Sequence, residues 1–166
     1  TEKAEQFKAE FLSVMAISGE SIFNVIGHSH GALYTRYAVS NLGLSAHVAS
    51  LTCIAGPHQG MVLADMIVDD VPKPVQWLTG TTLNLVYAYI LGDENPNSFQ
   101  NAYDVTTSYM QNVFNPNTLN VESVYYQSWA AKAKTSCPNL VLEPTWLILL
   151  AYEGSNDGLV SVNSAK

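Results

Sequence analysis

The sequence has few charged residues, and those that it has are mostly acidic. Only 13% of its 166 residues are Asp, Glu, Lys or Arg, whereas 48% are hydrophobic. This composition excludes intrinsic disorder, which requires low hydrophobicity and high charge. Seven basic and 14 acidic side chains give a net charge of −7. We therefore expect no nucleic-acid partner, because the phosphate backbone would be repelled.

Long apolar runs, cysteine clusters and a targeting segment are also missing. The longest apolar run, 146–152, is too short to cross a bilayer. Two cysteines cannot form a disulfide framework or a zinc cluster, and we predict that Cys53 is a small buried residue. The chain begins at Thr1, without Met and inside a helical pattern. We expect the natural amino terminus, with any signal peptide, to lie upstream.

Helical and strand-like patterns alternate in the first third of the chain. They predict helices over 4–18 and 30–42 and strands over 21–26 and 48–55. This alternation predicts a mostly parallel sheet covered by helices. Further along, the patterns predict a helix over 61–70, a strand over 123–129 and either a helix or a buried strand over 145–152.

A serine between two glycines follows the first predicted strand and opens the second predicted helix. The segment is Gly27-His28-Ser29-His30-Gly31. A strand, a sharp turn and a helix are the setting of a nucleophile elbow, which exposes the serine hydroxyl in a cleft. We expect Gly27 and Gly31 to avoid collisions with the neighbouring strand and helix. The backbone N–H of His30 can then stabilise an oxyanion.

A serine nucleophile requires a base, and none of the four histidines is a convincing one. They are His28, His30, His47 and His58. His58 follows the second predicted strand, and we expect it to be a buried structural residue rather than part of the cleft. Asp157, in a Gly-flanked loop, is a candidate for the acid that orients a histidine. Its spacing fits a plain turn equally well.

Five segments resemble the bacterial triacylglycerol lipases of the Pseudomonas, Burkholderia and Proteus type and their clostridial relatives. They are 24–33 with Arg36-Tyr37 after it, 48–60, 100–107, 124–129 and 156–160. The most specific are the serine segment and Asn156-Asp157-Gly158-Leu159-Val160. The resemblance implies an α/β-hydrolase, with a mostly parallel sheet and helices on both of its faces. It also implies Ser29 as nucleophile, Asp157 as the acid and the His30 N–H as half of the oxyanion hole.

The same resemblance implies that parts of the enzyme lie outside these 166 residues. In the family, the catalytic histidine lies beyond the position of Lys166, and the oxyanion loop and first strands lie before Thr1. We therefore expect an internal fragment, a single partial domain over 1–166 with a sheet incomplete at both ends. We also expect this fragment to be inactive alone. The complete protein would be a secreted lipase that acts on lipid or other esters, at a lipid–water interface.

A lid and a calcium site are two further implications of the resemblance. The apolar region of roughly 65–115 lies where the family has its helical lid, although core-facing helices would show the same pattern. Glu143 replaces an aspartate that binds structural calcium in the family. A solvated or capping Glu143 is the safer interpretation, and calcium is therefore only a possible cofactor. The proposed chemistry itself requires none.

Two alternatives to a lipase remain open. An esterase, a phospholipase or an acyltransferase could have the same scaffold and the same serine. A catalytically silent α/β-hydrolase-like binding protein is the alternative from another class. It would be favoured if the complete natural chain had no histidine after Asp157.

Overall fold

A three-stranded parallel sheet is the centre of the fold. The structure is a computed structural model, which describes residues 2–68, 73–74, 77–81, 84, 102–134 and 141–166. The strands are β1 (Phe23–His28), β2 (Val48–Ile54) and β3 (Tyr125–Trp129), and β2 lies between the other two. His28 pairs with Ile54, which pairs with Trp129, so that the three strands end side by side.

Helices connect the strands and follow them. They are α1 (Glu2–Ser18), α2 (His30–Asn41), α3 (Val62–Val68) and α4 (Glu143–Tyr152). Short 3-10 turns cover Leu44–His47 and Tyr103–Val105. The helical segment 107–117 has a π-helical turn, Met110–Phe114, between two short α-helical pieces, Thr107–Tyr109 and Asn115–Asn117. Gly19 follows α1 with a φ of 73°, a left-handed conformation that glycine adopts without strain.

The two faces of the sheet have different surroundings. Val25, Leu51 and Cys53 point to one face, where they form a buried cluster with Phe11 of α1 and Ala38 of α2. The opposite face carries large exposed side chains. They are Ile26, Tyr125 and Trp129, which are 68%, 66% and 62% exposed.

A second buried cluster lies on the far side of α2. Leu33 of α2 contributes to it, together with Leu63 of α3, Met110 of segment 107–117 and Leu149 of α4. This cluster attaches the carboxyl-terminal part of the chain to the helix that begins next to Ser29. No helix in the described parts has the length and hydropathy that a membrane crossing requires.

The predicted fold class, a parallel sheet with helices, is confirmed. The structure corrects three details. The first strand runs to His28 rather than ending before Gly27, and the third begins at Tyr125 rather than at residue 123. Residues 145–152 belong to a helix, so the buried-strand alternative is wrong and Asp157 does not follow a strand. The apolar run fits a helix because one side packs against the second cluster.

Candidate active site

Ser29 occupies a strained turn between β1 and α2. Its φ of 54° and ψ of −129° are uncommon for a residue with a side chain. The backbone N–H of Ser29 donates to the carbonyl of Ile54 at 2.8 Å, and its own carbonyl accepts from Ala32 N at 3.0 Å. The turn is therefore fixed to the end of β2 on one side and to α2 on the other. The local setting is the one predicted from the sequence.

The two glycines beside the turn have unequal roles. A Cβ at Gly27 would lie 2.7 Å from the Ala32 Cα and 2.7 Å from the Thr35 Oγ1. Only glycine therefore permits β1 to pass so close to α2. A Cβ at Gly31 would meet the Tyr34 hydroxyl at 3.2 Å, and this flexible side chain can move. The predicted steric need is thus strong at Gly27 and weak at Gly31.

The Ser29 hydroxyl has no hydrogen-bond partner among the described residues. None of the four histidines donates to it or accepts from it. His28 is exposed, and His47 contacts the carbonyl of Ser21 at 3.1 Å. Burial, and then Lys3, lower the pKa of His30. The described residues thus provide a serine in a suitable turn without a base.

His58 is buried, as the sequence predicts. It is 5% exposed, and neither ring nitrogen has a hydrogen-bond partner in the described structure. Burial, with a smaller contribution from Arg36, lowers its pKa to about 4. Its ring is therefore neutral at pH 7.

Asp157 lies in a loop that its own hydrogen bonds hold in place. Its Oδ1 accepts from the backbone N–H groups of Leu159 at 2.9 Å and Val160 at 2.8 Å. Its Oδ2 has no partner among the described residues, so this oxygen remains available to a further donor. An aspartate that orients a histidine must have one oxygen available to accept from the imidazole N–H.

Asn156 is the residue of this loop that sequence reasoning missed as a structural support. It is fully buried, and its Nδ2 donates to the carbonyls of Gly154 at 2.8 Å and Trp146 at 3.3 Å. Its Oδ1 accepts from Gly158 N at 2.8 Å. The Asn-Asp-Gly sequence signals a turn, but the burial of Asn156 arises only when α4 packs above it.

Backbone hydrogen bonds join the Ser29 turn to β2, the end of β2 to β3, and the segment after β3 to the Asp157 loop. Ser29 N donates to Ile54 O, and the next residue, Ala55, donates to Trp129 O at 2.8 Å. Beyond β3, Ala133 N donates to Asn156 O at 2.9 Å. The residue next to Asp157 is thus bonded to the segment that follows β3, although a helix precedes this loop. Ala55 has a φ of 49°, a strained conformation that nothing in the sequence signals.

The described residues around Glu143, the possible calcium ligand, favour its capping role. Glu143 is the first residue of α4, where a carboxylate interacts favourably with the positive end of the helix dipole. In the described ranges, no group of three or more His, Cys, Asp or Glu side chains could hold a metal ion. One carboxylate does not meet the calcium requirement of about six to eight oxygen ligands.

The sheet, its helices and the serine turn define the α/β-hydrolase class. Solved structures show the same fold. Lipase BlEst2 of Bacillus licheniformis in its mature form matches 98% of this chain and 60% of its own, with a TM-score of 0.69 and 20% identity. Lipase 1 from Pelosinus fermentans matches 86% of this chain and 56% of its own, with a TM-score of 0.60 and 17% identity.

Within this class, the chain belongs to the palmitoyl protein thioesterase family, whose profile matches residues 2–137. Its curated relatives include Triacylglycerol lipase 2 of Saccharomyces cerevisiae, 32% identical over 166 residues, and a triacylglycerol lipase of Vibrio cholerae, 30% identical over 185 residues. These alignments cover 97% and 98% of this chain but 45% and 58% of the relatives. The chain thus spans about half their length.

The resemblance to bacterial triacylglycerol lipases is confirmed. A triacylglycerol lipase of Burkholderia plantarii is 35% identical over 81 residues, which cover 49% of this chain and 22% of that protein. The Vibrio relative extends the similarity to nearly the whole chain.

Proposed function

We propose that the complete protein is a carboxylic-ester hydrolase that acts on lipid esters, with Ser29 as its nucleophile. The observation that carries the proposal is the strained Ser29 turn, fixed to Ile54 and Ala32, with a hydroxyl that no described group binds. A strained, unpartnered serine at a strand end is typical of a site that is pre-organised for chemistry. The similarity to triacylglycerol lipases supports the same assignment.

In the proposed mechanism, the Ser29 Oγ attacks the ester carbonyl carbon while its proton passes to a histidine outside this chain. The backbone N–H of His30 donates to the developing oxyanion. The C–O bond to the alcohol then breaks, and the histidine returns the proton to the leaving alcohol. An acyl-enzyme on Ser29 remains. Water, deprotonated by the same histidine, releases the fatty acid and restores the serine.

Asp157 would hold that histidine in the required tautomer and stabilise its cation. Its anchored Oδ1 and its unpartnered Oδ2 support this role, because a fixed carboxylate can orient an imidazole N–H. The mechanism requires no cofactor. We also propose that the complete protein is secreted.

The lid proposal concerns the region of roughly 65–115. Many of its residues lie outside the described ranges, including Leu83, Leu85, Val86, Tyr87, Tyr89 and Ile90. Trp77 is 68% exposed, which supports a surface that meets lipid. Val105 and Met110 are buried against α3, which supports the core-helix alternative for the last part of the region. Among the described residues of the region, Trp77 therefore supports the lid proposal, whereas Val105 and Met110 do not.

A thioester hydrolase is the second candidate, favoured by the family match over residues 2–137. The mechanism would be the same, except that a thiol leaves in place of an alcohol. A comparison of a palmitoyl thioester with triacylglycerols and with esters of increasing acyl length separates the two functions. A preference for long acyl esters, with a rise in rate at an emulsion surface, would support the lipase over a small-ester esterase. Assays with a phospholipid and with an acyl-acceptor alcohol test the remaining alternatives, a phospholipase and an acyltransferase.

The decisive test is Ser29→Ala in the full-length polypeptide, assayed with a long-chain ester. We expect a loss of at least about 10⁴-fold in rate, and no labelling by a serine-reactive fluorophosphonate. Ser21 is an exposed serine outside the site, and Ser21→Ala is the matched control. This variant should keep both the rate of hydrolysis and the labelling. Activity near the wild-type level in the Ser29 variant would refute the proposal. A full-length protein without hydrolysis or labelling would favour a silent binding protein instead.

A further inference from the structure

A polar cavity of about 660 Å³ lies beside α2, apart from the Ser29 turn. Arg36 of α2, Cys53 of β2 and Tyr126 of β3 line it on one side, and His58 lines it on another. Arg36 lies seven residues after Ser29 along the chain, about 10 Å along the helix axis. The mechanism proposed above uses none of these side chains.

Arg36 is the only arginine in the sequence, and its charge is partly withdrawn from water. Its Nη1 donates to the Asn115 Oδ1 at 2.8 Å, and its Nε donates to the Asn120 Oδ1 at 3.1 Å. The guanidinium carbon lies 5.9 Å from the centre of the Phe114 ring. Burial lowers the pKa of the Arg36 guanidinium, yet an arginine stays charged in proteins.

No carboxylate compensates this charge within the part of the chain that the structure describes. Arg36 forms no ion pair there, and no Asp or Glu lines the cavity. The partners of Arg36 are neutral amide oxygens and an aromatic ring. This is unusual in a protein with 14 acidic and seven basic residues. A half-buried cation beside an open polar cavity favours an anion, because a carboxylate matches the guanidinium fork with two parallel hydrogen bonds.

His58 is a second, independent observation at this cavity. It is 5% exposed, and its two ring nitrogens lack hydrogen-bond partners in the described structure. An unpartnered buried polar group lowers stability, so a ligand that binds this ring would recover stability. The backbone carbonyl of His58 accepts from the Asn115 Nδ2 at 2.8 Å. His58 and Arg36 thus share Asn115 as a support.

We propose that this cavity binds a small organic acid, whose carboxylate pairs with the Arg36 guanidinium. Among the described residues that line the cavity, Arg36 and Lys166 are the cations, and only Arg36 is partly buried. A monoanion therefore fits the Arg36 guanidinium better than a divalent phosphate, because a single charge is compensated there. The neutral His58 ring adds one N–H donor and one acceptor. The volume has room for more than a bare ion, so the acid can extend across the Tyr126 side of the cavity.

The test is a titration of the full-length polypeptide with acetate and butyrate at pH 7, read as the thermal midpoint of unfolding. Chloride and inorganic phosphate at the same ionic strength are the comparison salts. We expect a saturable rise in the midpoint with the carboxylates. In Arg36→Gln, half-saturation should require at least about tenfold more carboxylate. Lys132→Gln removes an equal charge at an exposed position and should behave like the wild type.

Two further measurements separate carboxylate binding at Arg36 from a folding defect and from binding at Ser29. Arg36→Lys keeps the charge without the fork, so we expect weaker carboxylate binding even if Arg36→Gln does not fold. Protein labelled at Ser29 with a fluorophosphonate should still show the rise, because the cavity is separate from the serine. Equal shifts with chloride, a stronger response to phosphate, an unchanged titration in both Arg36 variants or loss of the rise after labelling would each overturn the proposal.

Discussion

The turn at Ser29 depends on close packing as well as hydrogen bonds, whereas the loop at Asp157 is held by hydrogen bonds of its own side chains. In the turn, Gly27 allows β1 to pass against α2 where a Cβ would lie 2.7 Å from the Ala32 Cα. Hydrogen bonds fix the loop, because Asn156 and Asp157 bind its backbone groups through their side chains. The proposed catalytic serine thus has a strained backbone, whereas the proposed acid is held in place by its own hydrogen bonds.

The largest expected effect is on the rate of ester hydrolysis. It separates the charge of Asp157 from the hydrogen bonds that shape its loop. Asp157→Asn keeps an oxygen that can accept from Leu159 and Val160, so the free energy of unfolding should change by less than about 1 kcal/mol. The rate of ester hydrolysis by the full-length polypeptide should fall about 10⁴-fold, because an amide cannot stabilise the histidine cation. Asp104→Asn, which removes an exposed carboxylate, is the control. Normal turnover in the Asp157 variant would contradict the proposed role.

Steric control of the Ser29 turn predicts the next largest effect. Gly27→Ala should lower the free energy of unfolding by about 3 kcal/mol, because backbone atoms of α2 must move. Gly31→Ala should be nearly neutral, since Tyr34 can move and alanine favours the helix by about 1 kcal/mol. Urea unfolding of both variants measures the difference. Equal losses would mean that close packing is not what fixes the turn.

His58, which follows β2, provides a test through pH, because its buried ring nitrogens have no hydrogen-bond partner among the described residues. Its pKa is about 4 in the folded chain against 6.5 in the unfolded chain. Between these values, only the unfolded state gains the proton, so stability is lost as pH falls from 6.5 towards 4. The loss should be about 3 kcal/mol relative to His58→Gln. Parallel stability curves for the two proteins across this range would contradict the prediction.

The smallest of these effects concerns the hydrogen bonds of the Asp157 loop. Asn156→Ala removes a fully buried amide and leaves the N–H of Gly158 without its acceptor. We expect a loss of about 2 kcal/mol in the free energy of unfolding. Asn163→Ala, at an exposed position nearby, should change it by less than about 0.5 kcal/mol. Similar values for the two variants would show that hydrogen bonds do not hold the loop.

Some of the fold was readable from the sequence because local patterns determine it. The alternation of strand and helix between residues 4 and 55 predicted α1, β1, α2 and β2 with shifts of about two residues. The Ser29 turn was equally readable, since glycine spacing and a following helix are local features. The run 145–152 was ambiguous, because a short apolar stretch fits a buried helix or a buried strand until its packing is known.

The sequence by itself determined the serine turn, the parallel arrangement and the acidic, hydrophobic character of the chain. Only the tertiary structure joined the Asp157 loop to α4 and to the segment after β3, through the bonds that Asn156 forms with Trp146 and Ala133. Only the tertiary structure joined Arg36 and His58, 22 positions apart in the numbering, around one cavity. The physical reason is range: turns and periodicity depend on neighbours in sequence, whereas burial and unpaired charge depend on residues that folding brings together.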